Sequence, residues 1–362
     1  MITSSIRFTI KGKEERGKRK GKIFYLLPFT FYLFALVSFA QDTPQPLTLE
    51  QALALAPNVD ATIISAQTEL ASAQRDYERV KADPLSLRLD ILQAEQKVSS
   101  DQEALDKALL SNRVNATEAF FNALESDESL SNAQKQFEIA NATLSAQQIR
   151  YQAGAITQID LSNAQNDAVE AERRVSDAQN TRNLAYSQLT SKLGQEPVGL
   201  MVYTADAPQL APLEQYQAQA LEKNSQLNGL KRNVSLSQAQ LEIVDNAFSS
   251  RSQIESAKDT LSNVQLNLSD YQSTLGLSIE SSYNSVLSAN ASYQNAVEAF
   301  NTATNDLSAQ KTRLDAGSIS PIAYSQSELA FAQKQAALNR SKHQLLVAFT
   351  RLEQAVLGVT GQ

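Results

Sequence analysis

The sequence predicts an all-α protein of long antiparallel coiled-coil helices, built as two copies of one unit. Three observations carry that expectation: the placing of proline, an alanine-rich heptad seam, and an internal duplication.

Beyond residue 40 the prolines fall at Pro44, Pro46, Pro57, Pro84, Pro197, Pro208, Pro212 and Pro321. None lies between residues 85 and 196, or between 213 and 320. A proline inside a helix costs roughly 3 kcal/mol, so these gaps leave room for very long helices. Within them, Leu161, Ala164, Ala168, Ala171, Val175, Ala178, Ala185 and Leu189 keep the alternating three-and-four spacing of a coiled-coil seam, with Arg182 filling one position. Leu261, Val264, Leu268, Tyr271 and Leu275 do the same. The alternation Leu275, Leu277, Ile279 also fits a strand, but the seam running through it favours helix. Alanine in a seam lets helix axes approach closely and buries little apolar area per residue, so stability calls for many residues and several chains.

The duplication is direct. Ser145-Ala146-Gln147, Arg150 and Gly154-Ala155-Ile156 recur as Ser308-Ala309-Gln310, Arg313 and Gly317-Ser318-Ile319, all at an offset of 163. The runs that follow end alike, at Leu193-Gly194 and Leu357-Gly358. Similar openings begin at Leu47 and Leu213. Residues 41–193 therefore form a first helical repeat and 213–362 a second. The linker is 194–212, rich in glycine and proline. Turn signals at Asp83-Pro84 and Gly154, and near Ser249-Ser250 and Gly317, divide each repeat into helices of about 35, 68 and 38 residues. The outer two are expected to stack end to end beside the long one, about 100 Å in length.

Residues 1–40 read as a secretory signal. Eight Lys/Arg and two Glu within residues 1–22 precede the uncharged run Ile23–Val37, and Ser38 and Ala40 suit cleavage before Gln41. The alternative is an uncleaved anchor, though fifteen residues are short of the roughly 20 that a spanning helix needs. The whole chain carries 32 Lys+Arg against 39 Asp+Glu; removing the +6 of residues 1–22 leaves −13 on the rest. An acidic body argues against nucleic acid as a partner. The chain has no Cys and a single His, which excludes disulfides, thiolate chemistry and a Ser-His-Asp or His-cluster metal site. Asn-x-Thr triplets at Asn115 and Asn141 are what chance gives in so polar a chain. No catalytic site, metal site or cofactor is expected, and the chain is not read as an enzyme. His343, in mid-helix, is expected at the surface.

With these elements in place, the chain resembles the TolC-type outer-membrane efflux protein family. The residues that carry the resemblance are the Leu47-Thr48-Leu49-Glu50 opening, the Tyr151-to-Asp160 string and its partner at 314–320, the segment Ala119–Leu124, and the terminal Leu-Gly of each half. The resemblance implies an α-barrel tunnel closed by trimerisation. It also implies export to the periplasm and cell outer membrane, and glycine-centred hairpin tips that dock a periplasmic adaptor joined to an inner-membrane pump. The tip residues matching the family are Tyr151, Gly154, Ala155, Ile156, Thr157 and Asp160 in the first half, and Gly317, Ser318, Ile319 and Ser320 in the second.

Two departures stand out. Family members insert a β-hairpin after the first helix of each half, forming an outer-membrane barrel. Here only Ala82–Leu85 and Ala247–Ser250 stand at those points, too short for crossing strands. The family's acidic gate residue in the second hairpin is Ala323 here; Asp160 matches it in the first, where it serves as a helix N-terminal charge or as a tip contact, and Asp315 is a candidate charge near the second tip. Function is therefore read as a conduit subunit of a tripartite efflux or type I secretion system. The alternative is an envelope coiled-coil tether without transport.

Overall fold

The computed structural model describes residues 46–200, 203 and 208–359, all within one compact unit. The signal-like segment 1–40 lies outside the described residues. The described chain is helical throughout, apart from turns, the linker and one isolated parallel bridge between Leu47 and Leu200. No described helix is long and apolar enough to cross a membrane.

The first repeat consists of α1 (Leu49–Leu55), a 3₁₀ turn (Ala56–Asn58), α2 (Ala61–Ala82), α3 (Arg88–Gln152) and α4 (Gln158–Leu193). The second repeats the pattern: α5 (Leu213–Lys223), α6 (Ser225–Val244), α7 (Arg251–Asp315) and α8 (Pro321–Leu357). The long helices α3 and α7 have 65 residues each, and α4 and α8 have 36 and 37. Helix α3 packs against both α2 and α4, and α7 against both α6 and α8, which is the expected stacking of two shorter helices beside a long one. Leu275 and Ile279 are buried while Leu277 faces out, so that segment is helix.

One expectation is corrected. The opening helix of each repeat is not continuous. Pro57 breaks the first within the 3₁₀ turn, where it cannot donate to the ladder. Asp60 then caps α2, accepting from the Thr62 N–H at 2.8 Å. The second breaks at Asn224, whose side chain accepts the Leu227 N–H at 3.0 Å. Such a side-chain acceptor satisfies a backbone donor at a helix start and makes the break stable.

Each break is held from the neighbouring helices by a buried polar group. Asn112 on α3 donates to Ala56 O at 3.3 Å and to Asp60 Oδ2 at 2.8 Å. Asn224, fully buried, donates to Ala355 O at 3.2 Å and accepts from the Tyr271 hydroxyl at 3.2 Å. Apolar cores gather around these breaks. Phe120, Phe121 and Leu189 centre the first, and Leu227, Ile279 and Leu352 the second. Elsewhere the seam is thin: Leu161, Ala164, Ala168 and Ala171 are the buried residues in the tip half of α4.

The repeats are joined along α3. Arg232 makes a two-pronged pair with Glu103, both contacts at 2.7 Å, and Arg113 pairs with Glu353. Arg182, the odd residue in the α4 seam, is accounted for by Asp127 on α3, at 2.5 Å. Its guanidinium also covers the Tyr186 ring at 4.1 Å.

Candidate functional site: the paired hairpin tips

Where α3 turns into α4, Gly154 takes φ +69°, and where α7 turns into α8, Gly317 takes the same value. Only glycine reaches this region without a Cβ penalty. The hydrogen bonds around the two residues are identical in kind. The Ala155 N–H donates to Arg150 O at 2.8 Å and the Gly154 N–H to Tyr151 O at 2.9 Å. In the second tip, the Ser318 N–H donates to Arg313 O and the Gly317 N–H to Leu314 O, both at 2.8 Å. These are the paired closing bonds of a Schellman helix end, built twice.

The next helix starts from a side-chain cap at each tip, reciprocal at the first and one-way at the second. Thr157 accepts the Asp160 N–H at 3.2 Å, and Asp160 Oδ2 accepts the Thr157 N–H at 2.9 Å, a reciprocal capping box. Those bonds from Thr157 hold the Asp160 carboxyl below the usual carboxylate range. Ser320 accepts the Ala323 N–H at 3.1 Å, with Pro321 in the first helical turn. Asp160 therefore caps its own helix start, with its side chain exposed at the tip. Asp315, the candidate charge near the second tip, is exposed there and lies 2.9 Å from Lys311 one turn earlier in the helix.

Of the sequence-derived tip residues, Tyr151, Gly154, Ala155, Thr157, Asp160, Gly317, Ser318 and Ser320 are exposed, and Ile156 and Ile319 are half-buried under the turns. The two glycines have open surroundings: a Cβ added at either meets nothing within 4 Å. Two residues that the sequence reading did not single out belong to the same surface. Ile149 is 68% exposed and Ile159 71%. Ile159 is out of register with the α4 seam through Leu161 and Ala164, whereas nothing in the α3 sequence marked Ile149.

A second polar cluster lies farther along α3 and includes His343. The imidazole is not at the surface as expected. It stacks on Phe121 with 4.6 Å between ring centroids, and its Nδ1 lies 2.8 Å from Glu125 Oε1. Arg340 reaches the other Glu125 oxygen at 3.3 Å, and Asn339 donates to Glu128. The hydrogen bond from His343 outweighs burial and holds the Glu125 carboxyl below its usual range. Burial outweighs Asn339 and pushes Glu128 up.

The two acids therefore have opposite effects on stability. Glu125, depressed, contributes stability above its unfolded value and loses it as pH falls through its folded one. Glu128, raised, weakens the fold as pH rises through the carboxylate range. Glu128→Gln keeps an acceptor for Asn339 and removes the buried charge. It is expected to raise the urea midpoint at neutral pH, with the gain fading in acid. Urea titrations of both proteins across pH check this, and an unchanged or lower neutral midpoint would contradict it.

The described residues hold no cluster of ligands suited to a metal ion. Nothing in either polar cluster combines an activated nucleophile with a base in an open site.

Comparison with known proteins agrees with this architecture. Residues 86–195 match the sequence model of the outer membrane efflux protein family. No curated protein matches the chain. Among solved structures, the Campylobacter jejuni CmeC outer membrane channel is similar at TM-score 0.61 and 11% identity, over 87% of this chain and 86% of that one. The open-state MtrE outer membrane channel of Neisseria gonorrhoeae matches at TM-score 0.59 and 12% identity, over 86% of this chain and 89% of its own. The Vibrio cholerae outer membrane protein VceC matches at 0.58 and 14%, over 86% and 97%. The segment from the α2–α3 turn to the end of α4 thus carries the sequence signature of the outer membrane efflux proteins, and the described chain as a whole has the helical fold of their channels, without a strand among its described residues.

Proposed function

We propose that this chain is an exported conduit subunit of an efflux or type I secretion assembly, which receives a periplasmic adaptor on its two hairpin tips. The observation that carries the reading is the pair of glycine-centred tips, alike in φ and in hydrogen bonding, at one end of a fold shared with outer membrane channels. The adaptor in turn connects to an inner-membrane pump. Ile149, Tyr151 and Ile159 make the first tip the more apolar of the two and the better anchor for a partner helix pair.

What a single chain leaves uncovered supports assembly as a homotrimer. In α7 no residue beyond Val286 is buried, and in α8 none before Ser341. The tip half of the second hairpin is held by half-buried contacts such as Phe300 against Phe331. Three copies arranged in a ring cover such faces on both edges.

Electron microscopy of the purified assembly, with sedimentation, tests this. A three-fold tube with an axial channel is expected. A stable monomer at micromolar concentration, or a rod without a channel, would favour the envelope tether. That second reading draws its support from the lack of any strand at turns 83–87 and 245–250.

A further inference from the structure

The ends of α3 and α7 opposite the tips carry a second repeated device. At 1.5 Å per residue these ends are roughly 100 Å from the glycines. In the α2–α3 turn, the Leu85 N–H donates to Asp83 Oδ1 at 3.0 Å and the Ser86 N–H to Asp83 O at 3.1 Å. In the α6–α7 turn, the Phe248 N–H donates to Asn246 Oδ1 at 2.8 Å and the Ser249 N–H to Asn246 O at 3.3 Å. The positions correspond at the same offset of 163 that relates the tips. Each turn thus holds one large apolar side chain at its crown, and these are among the most exposed in the chain: Leu85 at 86% and Phe248 at 100%. Leu87 is exposed beside Leu85. Arg88 lies 3.4 Å from Glu242, which brings the two turns side by side.

We infer that these paired crowns are a lipid-contacting surface, which seats the far end of the assembly on a bilayer in place of a barrel. Three properties fit a lipid interface better than a protein partner. The crowns are convex points, not a groove. Residues 84–87 and 246–249 carry no ionisable side chain, while Asp83, Arg88, Asp245 and Arg251 flank them in the chain as polar groups suited to the headgroup edge of such a contact. The Leu85 and Phe248 N–H groups are already satisfied inside their turns, so moving the crown out of water leaves no bare donor at these points. Leucine and phenylalanine then gain by leaving water, and several copies add their contributions. The inference rests on the conduit reading only for which membrane is met.

The chain has no Trp, so Phe248→Trp gives a single reporter at the crown. The exported chain, isolated from the envelope as its assembly, is mixed with phosphatidylethanolamine–phosphatidylglycerol vesicles carrying brominated acyl chains. Emission should shift to the blue and be quenched, with no loss on adding salt, because the contact is apolar. In the same background Leu85→Ser with Leu87→Ser should weaken vesicle affinity, read from the indole reporter, by about tenfold or more. Circular dichroism should not change, since both side chains are in solvent. Reading at position 248 makes the result independent of any apolar N-terminal segment still attached. Absence of quenching would overturn the inference. So would emission already blue in the lipid-free assembly, which places the crown between copies, or a shift that appears only when an outer-membrane protein fraction is added. Adaptor crosslinking at the tips is measured in parallel. Its loss with quenching retained defeats the conduit reading alone, and the reverse defeats the lipid contact alone.

Discussion

Alanine at Gly358 lowers the unfolding midpoint far more than alanine at Gly154, although the two glycines have nearly the same backbone angle, φ +71° and +69°. Each change forces a side chain into the left-handed region, at roughly 1–2 kcal/mol. At Gly154 the cost ends there, because the new Cβ meets nothing within 4 Å. At Gly358 it would stand 2.7 Å from Asn224 Oδ1 and 2.9 Å from both Cγ and Nδ2. Asn224 cannot move aside without giving up its bonds to Leu227, Ala355 and Tyr271. Losing one buried hydrogen bond adds about 1–3 kcal/mol. Gly194 is the intermediate case. Its Cβ would meet Val59 Cγ1 at 2.7 Å, but Val59 is exposed and can turn away. Urea titrations of the three alanine variants should rank Gly358 as most damaging, then Gly194, then Gly154. Equal midpoints at Gly358 and Gly154 would mean that the buried asparagine does not hold the break.

The double variant Gly154→Val with Gly317→Val should assemble normally and fail in export. The strain, roughly 1–2 kcal/mol per site, is small against the packing of two 65-residue helices and their partners. The new Cβ meets nothing within 4 Å at either position. The loss falls on the shape of the turn itself: the closing bonds from Ala155 to Arg150 and from Ser318 to Arg313 depend on the left-handed glycine just before. A partner hairpin that fits both tips should therefore lose its seat. Crosslinking from Ile159 to the candidate adaptor, together with substrate export, gives the readout. A variant that sediments as the wild type and still crosslinks and exports would move the assignment to the tether.

The long helices were legible because proline and glycine are so sparse that little else fits between Pro84 and Pro197, or between Pro212 and Pro321. The seam was legible for the same reason that it is weak: alanine at every third and fourth position serves little purpose except close helix approach. Arg182 could not be read from α4 alone, since its reason is Asp127 on the neighbouring helix. His343 was misplaced on the same grounds. Mid-helix polarity points to solvent until Phe121 and Glu125 are known to lie opposite. The break at Asn224 carries no proline, and only its buried bonds show that it is a joint. At the tips, the glycines stood out in the sequence. Ile149 and Ile159 did not, because an isoleucine beside a seam reads as part of it until exposure separates the two.

The uneven distribution of buried side chains along α7 and α8 has a mechanical meaning. Each long hairpin is clamped near its middle, by Phe120 and Phe121 in one repeat and by Ile279, Val286 and Leu345 in the other, with the Glu125–His343 pair tying the two together. From that clamp to the tip, the second hairpin has no buried residue in its own chain. It is the more compliant of the two arms, with its fulcrum near Val286. Amide hydrogens of residues 287–340 should therefore exchange faster than those around the clamp. A load applied at the tips is then taken up first as bending of that arm, while the joint between the repeats stays still.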